Sequence, residues 1–292
     1  MKFAVNYSLP TLELLQAQQV QFDLFKLPAW PDLVEQVSAN YPTYVHTSLR
    51  AGTGSGLVSS GDAAPDWDAI DRMLSQTNTP IVNVHLTVRQ RDYPDIDPAD
   101  ISADTIERLT EALIADVAEL VERYGANRVV AENMHGRRGE DLQASILAET
   151  ITTVIEESGC QLLFDLSHAR MAAHLLGMTP GEYIEALPLK RMKELHITGL
   201  HRIDPVWADN LQQHGFSADA IAKFSGHLLD HLPLGGQDWM VVQRLLARIH
   251  QGDLPKPEIV ALEYGGMGEN WHTAPEIIQA QVPRLNNLVH LA

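Results

Sequence analysis

Short apolar runs that alternate with longer amphipathic segments constrain the fold of this chain more than any other feature. The runs are rich in Val, Ile and Leu and almost continuously hydrophobic, which is typical of parallel strands covered on both faces. Eight such runs occur, at 2–8, 21–27, 43–49, 80–88, 128–134, 161–168, 192–199 and 258–264. The alternation predicts an α/β protein, and eight repeats favour a closed (β/α)8 TIM barrel over an open doubly wound sheet. We therefore predict one TIM-barrel domain over residues 1–292.

The most regular helical pattern lies between the fourth and fifth predicted strands. Apolar residues such as Leu113 and Val117 recur there at helical spacing, and we expect Asp104 to cap the helix and Gly125 to end it. The region at about 200–257 is predicted to be a long excursion with extra helices and a functional loop. Further helices are predicted at 66–75, 143–158, 179–186 and 239–250.

Imidazole and carboxylate side chains occur at the ends of six successive predicted strands, the third to the eighth. In a TIM barrel the carboxyl ends of the strands meet at one mouth, where active sites are built. Glu132, Asp165 and Glu263 each follow an apolar run, where an ionised carboxylate is costly to bury unless a cation compensates it. We therefore predict a metal site from the residues at or beside these ends, which are His46, His85, Glu132, Asp165, His168, His196 and Glu263.

Two further candidate ligands, Asp230 and His231, lie in the segment that follows the seventh strand. Mixed imidazole and carboxylate ligation suits iron, manganese or zinc. The candidates exceed what one ion needs, so we predict two or three ions bridged by Glu132. Zinc or manganese would act as a Lewis acid or generate hydroxide, whereas iron would add one-electron and dioxygen chemistry.

Taken as a set, these ligands resemble the metal constellation of the xylose-isomerase-like TIM barrels, which include endonuclease IV. The segment 162–199, AEN at 131–133 and DHLPLGGQDW at 230–239 more closely resemble the multinuclear non-haem iron-dependent oxidative enzymes, formerly an uncharacterised bacterial family. The resemblance is strong over about 125–265 and only topological before residue 40. It implies oxidative rearrangement of cysteine-containing peptides with iron and dioxygen, often with a separate peptide-binding partner. We expect no partner domain here, because the barrel uses the whole chain.

The resemblance also implies how the ligands are divided among ions. It assigns three groups, of which the first two share a glutamate: His46, His85 and Glu132; Glu132, Asp165, His196 and Glu263; and His168, Asp230 and His231. The relatives place the aspartate of the third group two residues before the histidine. In this chain Leu229 stands there, which puts the third ion in doubt and makes His227 an alternative ligand.

Arginines are concentrated after the third to seventh predicted strands. A guanidinium binds carboxylate or phosphate with two parallel hydrogen bonds, which indicates an anionic substrate. The alternative is that these arginines pair with acidic residues of their own loops. The arginines are Arg50, Arg89, Arg91, Arg137, Arg138, Arg170 and Arg202. The candidate substrate-binding residues are Asn133, Arg137, Arg170, His201 and Arg202.

The acidic balance of the chain excludes some partners. Lys plus Arg total 21 and Asp plus Glu total 38, a formal net charge of -17, which repels nucleic acid and anionic membranes. No stretch approaches ~18 uninterrupted apolar residues, and the N-terminus has no apolar segment of signal-peptide length. We therefore predict a cytoplasmic protein that binds a small molecule or a peptide.

Two enzyme functions compete. The first is an iron-dependent oxidative enzyme acting on a peptide or a small thiol compound. The second is a sugar isomerase or epimerase that uses one manganese or cobalt ion held by Glu132, Asp165, His196 and Glu263, with Glu132 and Glu263 shuttling a proton. This second function leaves His46 and His85 without a role, so we rank it lower. Phosphoester hydrolysis, as in endonuclease IV, conflicts with the net charge, and an inactive scaffold conflicts with retention of every ligand type.

Overall fold

The computed structural model describes residues 1–137, 139–213, 216–265 and 273–291, in which strands alternate with helices. The strands are β1 (Lys2–Asn6), β2 (Leu24–Pro28), β3 (Thr43–His46), β4 (Arg50–Ala51), β5 (Val82–Leu86), β6 (Val129–Glu132), β7 (Gln161–Asp165), β8 (Met192–Ile197), β9 (Gly199–Arg202), β10 (Leu228–Leu232) and β11 (Ile259–Leu262). The helices are α1 (Leu9–Gln16), α2 (Pro31–Ser38), α3 (Trp67–Thr77), α4 (Ala103–Tyr124), α5 (Ala148–Ser158), α6 (Leu166–Leu176), α7 (Pro180–Ala186), α8 (Pro205–Gln213), α9 (Ala218–Phe224), α10 (Gly236–Gln251) and α11 (Pro275–Val289).

Each of the eight apolar runs overlaps a strand that is shorter than the run, and β2 extends past its run by one residue, to Pro28. The run at 161–168 shows why. β7 ends at Asp165, whose Oδ1 accepts a hydrogen bond from the backbone N–H of His168 at 2.7 Å and so caps α6. The strand prediction was therefore wrong for the last three residues, because a capping carboxylate starts a helix within an apolar run. His168 lies in the first turn of that helix.

The predicted helix at the centre of the sequence is confirmed as α4, but its cap was wrong. Ser102 occupies the N-cap position, and Asp104 lies inside the first turn, where a negative charge interacts favourably with the helix dipole. Asp100 accepts a hydrogen bond from Ser102 N at 2.9 Å, so the turn that leads into the helix starts earlier than predicted. Gly125 ends the helix with φ 87°, a region that favours glycine.

The chain divides into two compact units, which we call the central unit (Leu27–Leu195) and the terminal unit (Met1–Lys26 with His196–Ala292) after their place in the sequence. In the central unit, β4, β5, β6 and β7 pair in parallel. The register sets Arg50 opposite His85 and His85 opposite Glu132. Three charged or polar side chains of the predicted mouth therefore lie in one row across neighbouring strands.

In the terminal unit, β1 pairs in parallel with residues of β2 on one side and with β11 on the other. The register sets Asn6 opposite Lys26 and Val5 opposite Leu262. Lys26 therefore lies in one neighbour of β1, and Glu263 directly follows the other. The predicted excursion at 200–257 contains α8, α9, β10 and α10. Its β10 pairs antiparallel with β9, and a small core packs there around Ile203, Leu211, Phe216, Leu229 and Leu232.

No helix in the part of the chain that the structure describes is both long enough and apolar enough to cross a lipid bilayer.

Candidate metal centre

Three predicted ligands of the central unit converge on one point. His46 ends β3, His85 lies in β5 and Glu132 ends β6. The Nε2 atoms of the two histidines are 3.2 Å apart, and they lie 3.6 Å and 3.2 Å from Glu132 Oε2. Two ligand atoms bound at about 2.1 Å to one ion, at tetrahedral or octahedral angles, are about 3.0–3.4 Å apart. The three donor atoms therefore have the spacing of one face of a metal site.

Neighbouring groups fix which histidine nitrogens face this point. Leu49 O lies 2.8 Å from His85 Nδ1 and can only accept, so Nδ1 carries the proton and Nε2 of the neutral ring carries a lone pair. Asn83 Nδ2, which can only donate, lies 3.0 Å from His46 Nε2. The Asn83 amide therefore donates to the lone pair of His46 Nε2, whereas the lone pair of His85 Nε2 faces the carboxylate oxygen of Glu132, which is unfavourable unless a cation or a proton lies between them. This donor set fits a bound metal ion.

A second group of potential ligands shares Glu132. Its members are Glu132, Asp165 and His168, all of them buried, and their ligand atoms lie within 4.8 Å of one another. His168 Nδ1 is 3.2 Å from Glu132 Oε1 and 3.8 Å from Asp165 Oδ2. Glu132 therefore directs one carboxylate oxygen to His46 and His85 and the other to His168. Asn133 O, which can only accept, lies 3.1 Å from the same Nδ1, so this nitrogen carries a proton and donates to Glu132 Oε1, and His168 Nε2 is the ring nitrogen left to bind an ion.

Asn133 joins the two strand ends that carry this second group. Its Nδ2 donates to Asp165 O and its Oδ1 accepts from Asp165 N, both at 2.9 Å. The residue is fully buried, and its own carbonyl oxygen lies 3.1 Å from His168 Nδ1. These bonds fix the end of β6 against the end of β7, and the role of Asn133 in substrate binding stays a prediction.

In the terminal unit, Glu263 lies beside one ammonium group and two imidazole rings. It contacts Lys26 Nζ through Oε1, which also lies 3.2 Å from His196 Nδ1, and its Oε2 lies 4.0 Å from His231 Nε2. Burial alone would raise the pKa of Glu263, but the charges of His196 and Lys26 outweigh it and hold that pKa well below its ordinary value.

Sequence reasoning missed Lys26, and it also missed Glu194, a buried carboxylate in β8 that accepts a hydrogen bond from Tyr44 Oη at 2.9 Å.

The other predicted ligands of the terminal unit lie at or before β10. Asp230 is buried, and His231 is half-buried with φ 56°, an uncommon backbone region for a residue other than glycine. The pairing of β10 with β9 shifts register between Leu229 and Leu232, so an irregularity in the strand accompanies the adjacent Asp-His pair. His227, the alternative ligand, is exposed and precedes the strand.

Most of the arginines near the strand ends pair with acidic residues of their own loops. Arg50 and Arg89 lie 2.9 Å and 3.1 Å from Asp62, and Arg91 contacts the same carboxylate. The Arg137 guanidinium lies 3.3 Å from Glu140. These contacts correspond to the alternative interpretation of the arginine pattern, in which the arginines pair with acidic residues of nearby loops and do not bind substrate. Arg138 lies outside the described residues.

The remaining substrate-binding candidates lie in three places. Arg170 is half-buried in α6. Arg202 ends β9 and donates to Gly226 O at 2.6 Å. His201, one residue earlier, stacks on Trp207 with ring centroids 3.9 Å apart, and its Nε2 lies 2.8 Å from Pro233 O.

The sequence of residues 26–219 matches the model of the RiPP precursor modification enzyme MbnB/TglH/ChrH family. The chain belongs to this family. The matched segment contains all the predicted ligands from His46 to His196, whereas Asp230, His231 and Glu263 lie beyond it. The family resemblance read from the sequence is thereby confirmed.

Curated relatives carry a family designation rather than an activity. A UPF0276 protein of Caulobacter vibrioides is 26% identical over 235 residues, which are 78% of this chain and 72% of the relative. A UPF0276 protein of Acaryochloris marina is 24% identical over 187 residues, which are 63% of each chain.

Solved structures show the fold. D-psicose 3-epimerase from Clostridium cellulolyticum H10 aligns with a TM-score of 0.54 at 13% identity, over 99% of both chains. A xylose isomerase domain containing protein from Salmonella typhimurium aligns with a TM-score of 0.53 at 14% identity, over 99% of this chain and 97% of the other. The fold is therefore the xylose-isomerase-like TIM barrel that the sequence predicted.

Proposed function

We propose that this protein is an iron-dependent oxidative enzyme that modifies a peptide or a small thiol compound at a centre of two or three metal ions. The observation that carries the proposal is the position of Glu132. Its Oε2 faces His46 and His85 while its Oε1 faces His168. A single-ion isomerase site would use one side of such a carboxylate and would leave the two histidines of β3 and β5 without a partner ion.

His46, His85 and Glu132 would hold the first ion, and Asp165 would join Glu132 at the second. His168, His196, Asp230, His231 and Glu263 remain predicted ligands. Iron in such a site supplies one-electron chemistry with dioxygen as the oxidant. Imidazole and carboxylate donors of this kind also accept manganese or zinc, so the choice of metal is part of the proposal.

The chain's own residues supply orientation and exclusion of water. Leu49 O holds the ring of His85, and Asn133 holds the backbone of Asp165. Glu132, Asp165 and His168 are buried, so a substrate group that reaches them leaves bulk water. Electrostatic interactions are stronger in such a site than in water, which favours binding of charged groups in fixed positions.

The family match supports a peptide substrate, because the family is described as enzymes that modify precursor peptides. We propose that the substrate is anionic and that a separate peptide-binding protein delivers it in the cytoplasm. Neither nucleic acid nor a membrane is a proposed partner, because the net charge of -17 repels both.

Elemental analysis of protein purified without air, after growth with added iron, tests the proposal. We expect two or three iron atoms per chain and oxygen uptake that depends on a cysteine-containing peptide. The control is the Glu132→Ala variant, prepared in the same way. A single manganese or cobalt ion, with conversion of a ketose and no oxygen uptake, would replace the oxidative proposal with the isomerase.

A further inference from the structure

Three arginines of the central unit contact one aspartate. Asp62 Oδ1 lies 2.9 Å from the Arg50 guanidinium and 3.1 Å from that of Arg89, and its Oδ2 contacts Arg91. Arg50, together with Arg89 and Arg91, holds the pKa of Asp62 below its ordinary value. Arg108, another exposed arginine of this unit, pairs with a carboxylate that no second arginine among the described residues shares, that of Asp95 at 2.6 Å, and lies over the Tyr93 ring.

The three arginines differ in how much they depend on Asp62. The Arg50 side chain is only 7% exposed, and it also donates to Asp92 at 2.8 Å and to Thr87 O at 3.2 Å. Arg89 and Arg91 are 37% and 57% exposed. Arg50 is therefore a fixed part of the fold, whereas Arg89 and Arg91 present guanidinium groups to solvent with Asp62 between them.

The backbone at Asp62 is in an uncommon conformation. Asp62 has φ 59° and Gly61 before it has φ 71°, so two successive residues lie in the left-handed region. Glycine adopts this region freely, but aspartate does so at a cost. The turn is held by hydrogen bonds from Asp62 N to Ser59 O and from Ser59 N to Ala63 O. The contacts with the arginines therefore compensate a strained turn, which relaxes if the carboxylate leaves.

This cluster is connected to the candidate metal centre within the same unit. Arg50 is the register partner of His85, and Arg89 follows His85 by four residues on the same segment. A molecule bound to Arg89 and Arg91 would thus lie beside the loop that follows β5, the strand that carries His85.

We propose that Arg89 and Arg91 form a binding site for a carboxylate of the substrate, and that Asp62 occupies this site as an internal ligand which the substrate displaces. The ligand class is an acidic peptide, because a side-chain or terminal carboxylate reproduces the bonds that Asp62 makes. Exchange of one carboxylate for another keeps the charge of the cluster unchanged. The inference rests on the proposed function only in taking this peptide to be the substrate.

The test uses acetyl-tetraglutamate amide as the probe, acetyl-tetraglutamine amide as its neutral control, and calorimetric titration of the metal-loaded protein. Asp62→Asn removes the internal ligand, so we expect tetraglutamate to bind at least fivefold more tightly. Arg89→Gln combined with Arg91→Gln should weaken binding at least tenfold. Asp95→Asn is the matched control, because it makes the same change of net charge beside Arg108, and it should leave the affinity unchanged.

Hydrogen exchange of the wild-type chain provides a second measurement that needs no variant. Tetraglutamate should speed exchange of the Ser59 and Asp62 amides, because displacement of the carboxylate releases the turn. The inference would be overturned if tetraglutamate bound equally more tightly to Asp62→Asn and Asp95→Asn. It would also be overturned if tetraglutamate bound the wild-type chain without changing hydrogen exchange at these amides. Neither readout requires oxidation, so a failed iron analysis and a failed exchange experiment are distinguishable.

Discussion

His85 makes two hydrogen bonds to the same acceptor, Leu49 O, one from its backbone N–H at 2.9 Å and one from its ring Nδ1 at 2.8 Å. The pair of bonds fixes the side chain relative to its own strand as well as the position of the ring proton. As a result, His85 Nε2 is held 3.2 Å from Glu132 Oε2 with its lone pair available. Orientation of a ligand by a backbone carbonyl is a common feature of metal sites and raises their affinity.

Replacement of this histidine should remove one metal ion. In His85→Gln the side chain cannot satisfy both Leu49 O and an ion, so we expect metal affinity to fall at least about tenfold and the bound metal to drop by about one ion per chain. His174→Gln, at an exposed position of α6, is the control and should keep the full content. Mass-spectrometric metal analysis after gel filtration checks this, and equal metal content in both variants would contradict the assignment of His85.

Glu132→Gln should have a larger effect on metal content than any change of a single histidine. A neutral amide offers only one oxygen, whereas both Glu132 oxygens face potential ligand groups. We expect loss of more than one ion per chain, measured in parallel with His85→Gln on the same preparation. A loss of one ion or of none would show that Glu132 is not a bridge.

The predicted ligands of the central unit were accessible to sequence reasoning because each follows an apolar run. Burial of Glu132 and Asp165 is dictated by the strands they end, and the parallel order of neighbouring strands brings such ends to one edge of the sheet. The residue type and the position in the run were sufficient to predict that these side chains lie close together. No knowledge of the loops was needed.

Lys26 and the arginines show where this reasoning stops. In the run LFKLP, Lys26 is a single charged residue in a strand, and only the register of β1 with β2 and β11 brings it beside Glu263. Likewise, the arginine pattern allowed either substrate binding or pairing within loops. For Arg50, the path of the glycine-rich segment that carries Asp62 leads to pairing within the loops. Loop paths are set by tertiary contacts, which the sequence pattern does not give.

Removal of the metal should destabilise the protein. The carboxylates of Glu132 and Asp165 both lie near His168 in a buried group, and without a cation their charges repel each other. We expect a lower melting temperature after treatment with a chelator, and recovery when iron is restored. Differential scanning calorimetry at one fixed pH measures it. An unchanged melting temperature in protein shown to have lost its metal would contradict a cluster that stabilises the fold.

Lys26→Met should destabilise the chain more than a change at an exposed lysine. The Lys26 and Glu263 side chains are 9% and 5% exposed, so removal of the ammonium leaves a buried carboxylate with less compensation. Breaking a buried ion pair in this way costs about 3–5 kcal/mol. Urea unfolding of metal-free protein measures the change, with Lys190→Met as the exposed control and Lys26→Arg as the variant that keeps the charge. If Lys26→Met and Lys190→Met unfold alike, the pair does not stabilise the fold.

Asn133→Asp should lower both stability and metal content. The Asn133 amide makes two hydrogen bonds to the backbone of Asp165, and the substitution replaces the atom that donates one of them. The present amide donates from Nδ2 to Asp165 O and accepts at Oδ1 from Asp165 N. A carboxylate keeps the second bond but sets an oxygen against the carbonyl oxygen of Asp165, in a fully buried position. An unsatisfied buried polar group costs about 1–3 kcal/mol, and a charged one costs more.

The effect on metal content distinguishes positioning of Asp165 from a general loss of stability. Asn127→Asp makes the same change of charge at an exposed site beside Lys193, where the ion pair is favourable, and it should leave both properties unchanged. In Asn133→Asp, we expect metal affinity to fall at temperatures well below unfolding, since the end of β7 is no longer held against β6. Full metal binding in a destabilised Asn133→Asp variant would mean that Asn133 supports the fold without positioning Asp165 for an ion.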